Sequence, residues 1–283
     1  MQRTWFITGT SSGFGRIMTE QLLARGERVA ATLRTPSALG DLQARYPEQL
    51  WVAQLDVTDD AAIEAVVARA FTELGRIDVI VSNAAYGLFG AAEELTSAQV
   101  RRQLDTNLLG SIQLIRTALP WLRKQGGGRV IQVSSEGGQI AYPNFSLYHA
   151  TKWGIEGFVE SVAQEVAPFG IEFTLAEPGP TPTNFAAGLD TAPALAAYDA
   201  TPSGAVRRAL ADGSFKLTGD PVQMVRFMID SAAQSPAPRR IALGSTAYRS
   251  IRAALTERLA QLDAQKDIAC AADLVRPGCS GGA

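Results

Sequence analysis

Thr4-Trp5-Phe6-Ile7-Thr8-Gly9-Thr10-Ser11-Ser12-Gly13-Phe14-Gly15 decides the fold. Its first five residues are an apolar, β-branched run of the kind that fills a buried strand. The glycines that follow, spaced G-x-x-x-G-x-G, lead directly into Arg16 to Arg25, whose composition and apolar spacing are helical. A strand, a glycine turn and a helix start make an anion cradle. Glycines let the backbone approach a pyrophosphate, and the free N–H groups and dipole of the helix N-terminus face it. The spacing is not the G-x-G-x-x-G of the commoner dinucleotide fingerprint. A glycine turn with no ligand is the plainer reading, and its place at the opening of a βα unit weighs against it.

The same residues satisfy G-x-S-x-G, with Ser11 as a hydrolase nucleophile on a strand-to-helix elbow. That chemistry needs a histidine base late in the chain, after an acidic partner. The only histidine is His149, inside a helical segment, so the hydrolase is rejected. His149 is expected to be a polar residue on a helix surface or at a site rim.

Outward from this unit the chain alternates strands and helices, the signature of a parallel sheet with helices on both faces. Strands are expected at Arg28 to Leu33, Trp51 to Leu55, Ile77 to Ser82, Arg129 to Val133, Ile171 to Ala176 and Arg240 to Leu243. Helices are expected at Pro36 to Tyr46, Asp59 to Leu74, Ala98 to Lys124, Ser146 to Ala167, Pro221 to Ala233 and Thr246 to Gln265. The expected fold class is α/β, a single doubly wound parallel sheet in one domain over 1–265. From Lys266 periodicity fades, and 266–283 reads as a loose tail.

At 283 residues the chain suits one large α/β domain, and a net charge of −2 leaves no basic footprint for nucleic acid. There is no run of eighteen apolar residues and no charged-then-apolar leader, which points to a soluble, cytoplasmic protein. Cys270 and Cys279 lack metal-ligand spacing and are expected to be reduced and incidental. No metal is expected.

Tyr148 and Lys152 stand four residues apart, which on a helix puts a phenol and an ammonium on one face about a turn apart. A nearby cation favours the phenolate and lowers a phenol's pKa, bringing it toward the range of a useful acid–base catalyst. By itself the spacing is weak, since such pairs fall on many solvated helices.

Taken together, Thr8-Gly9-x-x-x-Gly13-x-Gly15, Ser82-Asn83-Ala84-Ala85, Asn107, Ser134-Ser135, Tyr148-x-x-x-Lys152 and Pro178-Gly179 resemble, in order and spacing, the single-domain short-chain dehydrogenase/reductase family over roughly residues 3 to 245. Two departures are small. Ser82-Asn83-Ala84-Ala85 stands where the family commonly reads Asn-Asn-Ala-Gly, and Trp153 follows the lysine where a small residue is usual.

The resemblance implies hydride transfer between nicotinamide C4 and a carbon that is carbonyl in one direction and carbinol in the other. It makes Asn107, Ser135, Tyr148 and Lys152 the catalytic residues. Tyr148 protonates the developing alkoxide, and Ser135, thirteen residues earlier, hydrogen-bonds the same oxygen. Lys152 tunes the phenol and holds the ribose, while Asn107 distorts its helix and supports a proton relay. Strand alternation makes Ser134 the rival of Ser135. The implied cofactor contacts are Gly9, Ser11, Ser12, Gly13, Phe14, Gly15, Asp56, Asn83, Ala84, Tyr148, Lys152, Pro178, Gly179, Thr181 and Thr183.

Charge at the end of the second strand bears on the choice of dinucleotide. An NAD site usually places an acid there for the ribose 2′-hydroxyl. This chain reads Thr32-Leu33-Arg34, and Arg34 can pair with a 2′-phosphate. NADP(H) is expected, with NAD(H) the alternative.

The substrate is less legible. The resemblance places a mobile lid at about 184–216, and Leu88, Phe89, Ile140, Tyr142, Phe145, Phe185, Leu189 and Tyr198 would give mostly apolar walls. The expected reaction is on a small apolar carbonyl or alcohol. A reductase of carrier-bound 3-oxoacyl thioesters would want a basic docking surface, for which Arg207, Arg208 and Lys216 are a thin cluster. A dinucleotide-sensing binding protein could dispense with the four catalytic residues, all of which are present. The small and apolar surface of the Tyr148 helix, from Ala150 and Trp153 to Ser161 and Val162, suggests a partner helix, and the resemblance implies a homodimer or homotetramer packed through this helix and the long one before it.

Overall fold

A computed structural model describes residues 2–274, without the side chains of Ala186 and Ala187. Thr4–Thr8 forms β1. Trp5 and Ile7 point to one face and Phe6 to the other, as the two-residue period of a strand requires. There follow α1 (Gly13–Ala24), β2 (Arg28–Leu33), α2 (Gly40–Arg45), β3 (Leu50–Gln54), α3 (Asp60–Leu74) and β4 (Val79–Ser82). Beyond them run β5 (Leu88–Phe89), α4 (Ser97–Leu104), α5 (Gly110–Lys124), β6 (Gly128–Val133), α6 (Ser146–Val166) and β7 (Ile171–Pro178). The last third holds α7 (Asn184–Ala187), β8 (Asp190–Thr191), α8 (Pro202–Ala211), α9 (Pro221–Ser231), β9 (Arg240–Leu243), α10 (Ser245–Asp263) and α11 (Lys266–Ala271).

Seven strands make one parallel sheet in the order β3-β2-β1-β4-β6-β7-β9. The chain runs outward in opposite directions from β1 and β4, so the loops after these two strands part and leave a crevice at the carboxyl ends. One face of the sheet, through Phe6, Ile80, Val130 and Phe173, packs on Val67, Leu114 and Val159 of α3, α5 and α6. The other, through Ile7, Val29, Val81 and Ile131, packs on Met18 and Leu22 of α1 and on Val225 and Met228 of α9. Both faces are therefore covered, as the near-continuous apolar strands demand. The expected doubly wound sheet is the one observed.

Three features depart from the sequence reading. The helix expected at Ala98 to Lys124 is interrupted by a π turn at Asp105–Leu109, with Asn107 buried at its centre. β5 and β8 pair in parallel as a second small sheet, Leu88 with Asp190 and Phe89 with Thr191. Strands of two residues are too short to show a period. The third departure is at the tail. Lys266–Ala271 is helical rather than loose, its turn closed by a 2.9 Å bond from Ala269 N–H to the Gln265 carbonyl. Lys266, Ala269 and Ala271 favour this exposed turn, which has no buried apolar face, and periodicity therefore missed it. Cys270 is disulfide-bonded, correcting the expectation of a reduced thiol. Cys279 lies outside the described residues.

Candidate active site

The carboxyl ends of the strands surround a cavity of about 730 Å³. Its walls come from Gly9 after β1, Arg34 after β2, Asp56 after β3, Asn83 after β4, Ser135 after β6 and Gly179 after β7.

Thr8, at the end of β1, organises the glycine turn. Its hydroxyl accepts from the backbone N–H groups of Asn83 and Ala84 at 3.0 and 3.1 Å. The Asn83 amide returns bonds to the carbonyls of Thr8 and Gly9 at 2.9 and 3.2 Å. The loops after β1 and β4 are thereby stitched together. Glycine is required in two places. Gly9 has φ 72°, and a Cβ there would lie 2.8 Å from the Ala84 Cα; a Cβ on Gly15 would strike the Gly9 carbonyl and lie 2.7 Å from the Asn83 amide nitrogen. Asn83 lines the cavity, but its side chain is spent on the turn.

The start of α1 is left open to an anion. Ser12, its N-cap, is extended and makes no side-chain cap, and the first turn carries no acid. Arg16 is tied to Glu20 at 2.6 Å and to Asp41 at 2.5 Å, whereas Arg34 is exposed at the cavity edge and makes no ion pair among the described residues. The Asp56 carboxylate is held below its ordinary pKa mainly by the Thr58 N–H at 3.0 Å. On the far side, Thr183 caps α7 through the Phe185 N–H and its Cβ faces Gly13 across the cleft. Thr181 donates to the Gly179 carbonyl at 2.7 Å. Ser11, Phe14, Ala84 and Pro178 also line the walls. These residues fit a dinucleotide: a glycine turn, an uncapped helix start and the Arg34 guanidinium converge on one cleft.

Beyond this cleft lie Ser135, Tyr148 and Lys152. Tyr148 is buried, and burial pushes its phenol up to about 12, opposed by a hydrogen bond with the Ser135 hydroxyl. Lys152 donates to the Val133 carbonyl at 2.9 Å, and burial pushes it down to about 8 against the pull of Glu156 one turn on. The sequence reading expected the cation to lower the phenol. Burial of both groups dominates instead, raising the phenol and lowering the ammonium. The two serines separate in role: Ser134 donates to the Glu156 carboxylate, while Ser135 meets the phenol.

Asn107 is not among the residues that line the cavity. Its amide accepts from the Tyr86 N–H at 3.1 Å and donates to the Tyr86 carbonyl at 2.8 Å, while its own carbonyl accepts from the Ser111 hydroxyl at 3.2 Å. It thus clamps the loop after β4 to the π turn.

The outer cavity is aromatic. Tyr142, Phe145, Tyr148 and Phe185 pack edge-on, 5.3 to 6.2 Å apart for the pairs in contact, with Leu189 and Leu210 against them. His149 is buried, not on a rim: Phe145 and Tyr142 cover it and its ring nitrogens are both hydrogen-bonded. Its neighbours come from a loop that no helical wheel includes.

The sequence reading also missed how the segment 184–216 is fastened. Arg207 of α8 forms a forked pair with the buried Glu94 at 2.7 and 2.9 Å, and Glu94 accepts from the Ala91 and Leu195 N–H groups. The partners are 113 residues apart, and no local pattern signals such a pair.

A family model for short chain dehydrogenases matches residues 3–194. An oxidoreductase of Botryotinia fuckeliana, BOA17, is 35% identical over 249 residues, 87% of this chain and 90% of that protein. A 3-ketodihydrosphingosine reductase of Bacteroides thetaiotaomicron is 37% identical over 180 residues, 63% of this chain and 64% of its own length. A solved short-chain dehydrogenase from Streptomyces avermitilis shares 35% identity at a TM-score of 0.89, with 96% of this chain and 98% of that one covered. With that match over nearly the whole length and the same seven-stranded sheet, the chain belongs to the short-chain dehydrogenase/reductase family of NAD(P)-dependent oxidoreductases acting on CH–OH and C=O groups.

Proposed function

We propose that this protein interconverts an apolar ketone or aldehyde and its alcohol with NADP(H), using Tyr148 as general acid and base. The observation that carries this reading is the convergence of Ser135, Tyr148 and Lys152 on the wall of one cavity that also holds the glycine turn and Arg34. When bound, a nicotinamide dinucleotide supplies or accepts the hydride. Tyr148 gives its phenolic proton to the substrate oxygen in reduction and recovers it in oxidation. Ser135 donates to the same oxygen, which orients the carbonyl and offsets its developing charge. Lys152, in cationic form, stabilises the phenolate left behind and reaches the ribose hydroxyls. Asn107 acts as a positioning residue by fixing Tyr86. Gly9, Ser11, Ser12, Gly13, Phe14 and Gly15 hold the pyrophosphate, Arg34 the 2′-phosphate, and Asp56, Ala84, Thr181 and Thr183 the remaining edges.

The aromatic outer cavity favours a small apolar substrate. Commitment of Arg207 to Glu94 leaves too little basic surface near the lid to favour carrier-bound thioesters. We also read the protein as cytoplasmic and as a homodimer or homotetramer; among the described residues no helix is long and apolar enough to cross a membrane. NADPH oxidation followed by absorbance against a panel of carbonyl compounds tests the assignment. Tight NADPH binding with no turnover on any apolar ketone, aldehyde or alcohol would favour a dinucleotide-sensing protein instead.

A further inference from the structure

His149 is the chain's single histidine and follows Tyr148 on α6. Its Nδ1 lies 2.9 Å from the Gly137 carbonyl, and its Nε2 lies 3.2 Å from the Tyr142 backbone nitrogen. A carbonyl can only accept and a backbone amide can only donate. The bonds therefore assign the tautomer: Nδ1 carries the hydrogen and Nε2 offers its lone pair. The fit is close. A Cβ on Gly137 would lie 2.6 Å from Nδ1, and the Tyr142 ring stands edge-on to the imidazole at 4.5 Å.

The segment held in this way joins Ser135 to the start of α6, and its Tyr142 lines the outer cavity with Phe145. We propose that His149 is a positioning residue for the substrate wall: its neutral Nδ1–H form pins the segment Gly137 to Tyr142, and protonation at Nε2 releases it. An imidazolium has two N–H groups and no acceptor, so the Tyr142 amide would face a donor. This inference rests on the proposed function for what the wall contacts, but not for the bonds themselves.

The surroundings offer the imidazolium little compensation. Tyr142 from the loop and Tyr148 from α6 are phenols raised by burial. Glu136, from the turn after β6, is also raised by burial and meets the Ser250 hydroxyl of α10. Lys152 is cationic, and Arg258 of α10 donates to the Gln139 carbonyl in the same segment. Burial accordingly lowers the His149 pKa, so release belongs to the acid side of the usual histidine range.

Because the chain has one histidine, nitrogen-15 NMR of the imidazole reads the tautomer directly in the full-length protein. The expected result is the Nδ1–H form, titrating below about 6.5, with the Tyr142 amide resonance moving at the same midpoint. In steady state, KM for a reduced carbonyl compound should rise roughly two- to tenfold as pH falls through that midpoint, the worth of one hydrogen bond. The KM for the dinucleotide should stay flat. His149→Gln, which does not titrate, should lack that acid rise, and His149→Phe should show a raised substrate KM at every pH. An Nε2–H tautomer, a Tyr142 amide indifferent to the titration, or an acid rise that persists in His149→Gln overturns the inference. If no carbonyl compound is reduced, the proposed function falls, while the NMR result still decides the role of the imidazole.

Discussion

The ammonium of Lys152 lies 5.6 Å from the centroid of the Tyr148 ring and is anchored by the Val133 carbonyl. Anchoring fixes the charge beside the phenol, but burial makes that charge easy to lose, down to about 8. The sign follows directly. Below that pH Lys152 is cationic and can hold ribose hydroxyls and stabilise a phenolate; above it the charge goes. Dinucleotide affinity should therefore weaken as pH rises through about 8. Fluorescence titration of NADPH across the alkaline range checks this, and Lys152→Ala should bind weakly at every pH. A flat profile in the wild type would remove Lys152 from cofactor binding.

Tyr148→Phe should abolish turnover while leaving NADPH affinity nearly intact. The change removes one oxygen from a buried ring that keeps its contacts with Phe145 and Phe185. Retention of more than about a tenth of wild-type kcat, a loss of less than roughly 1.4 kcal/mol of barrier lowering, would sink the assignment.

The sheet, its order of elements and the ends where a ligand sits were legible because apolar runs and glycine spacing are local signals. Tyr148 and Lys152 were legible for the same reason, being one helical turn apart. What the sequence hid is long-range. The burial that reverses the expected phenol shift comes from elements far along the chain, the imidazole partners of His149 lie on an irregular loop, and the π turn at Asn107 depends on Tyr86 across a loop. The helical turn after Lys266 was hidden differently, since an exposed helix needs no apolar stripe.

The Arg207 to Glu94 pair should hold α8 on the core. The Glu94 side chain is fully buried and that of Arg207 mostly so, so removing the cation strands a carboxylate. Arg207→Met should cost about 2–3 kcal/mol, less than the full cost of breaking a buried pair because two backbone N–H groups still reach Glu94. Denaturant unfolding gives the stability, and limited proteolysis should show earlier cleavage within 184–216. Unchanged protection there would mean that the β5–β8 pairing and the bonds from Gln99 to Asp190 and from Asn144 to the Ser203 carbonyl suffice to fasten the segment.

Assembly through α5 and α6 is the expectation that their surface supports. Phe158, Leu119 and Phe169 line a shallow depression there with Arg116 and Arg123, and Phe169 is exposed. A water-facing apolar patch of this kind favours a partner helix. Light scattering at micromolar concentration should give a dimer or tetramer, and Phe158→Glu should shift it toward monomer. A wild-type monomer would refute the interface.

Arg34 should set the choice of dinucleotide. It stands exposed at the cavity edge without an ion pair among the described residues, while Arg102, also on the cavity wall, is paired with Asp190 and Arg16 is engaged by Glu20 and Asp41. A charge-assisted hydrogen bond contributes roughly 1.5–3 kcal/mol, and each 1.4 kcal/mol is a factor of ten in affinity. Wild-type protein should therefore bind NADPH at least about tenfold more tightly than NADH. Arg34→Ala should cost NADPH about ten- to a hundredfold and NADH very little. Added salt should weaken NADPH more than NADH, because an exposed pair is screened. Equal loss for both dinucleotides, or a wild-type preference for NADH, would make Arg34 a bystander and move the choice to the turn from Thr10 to Arg16 or to the residues Thr35 to Ser37.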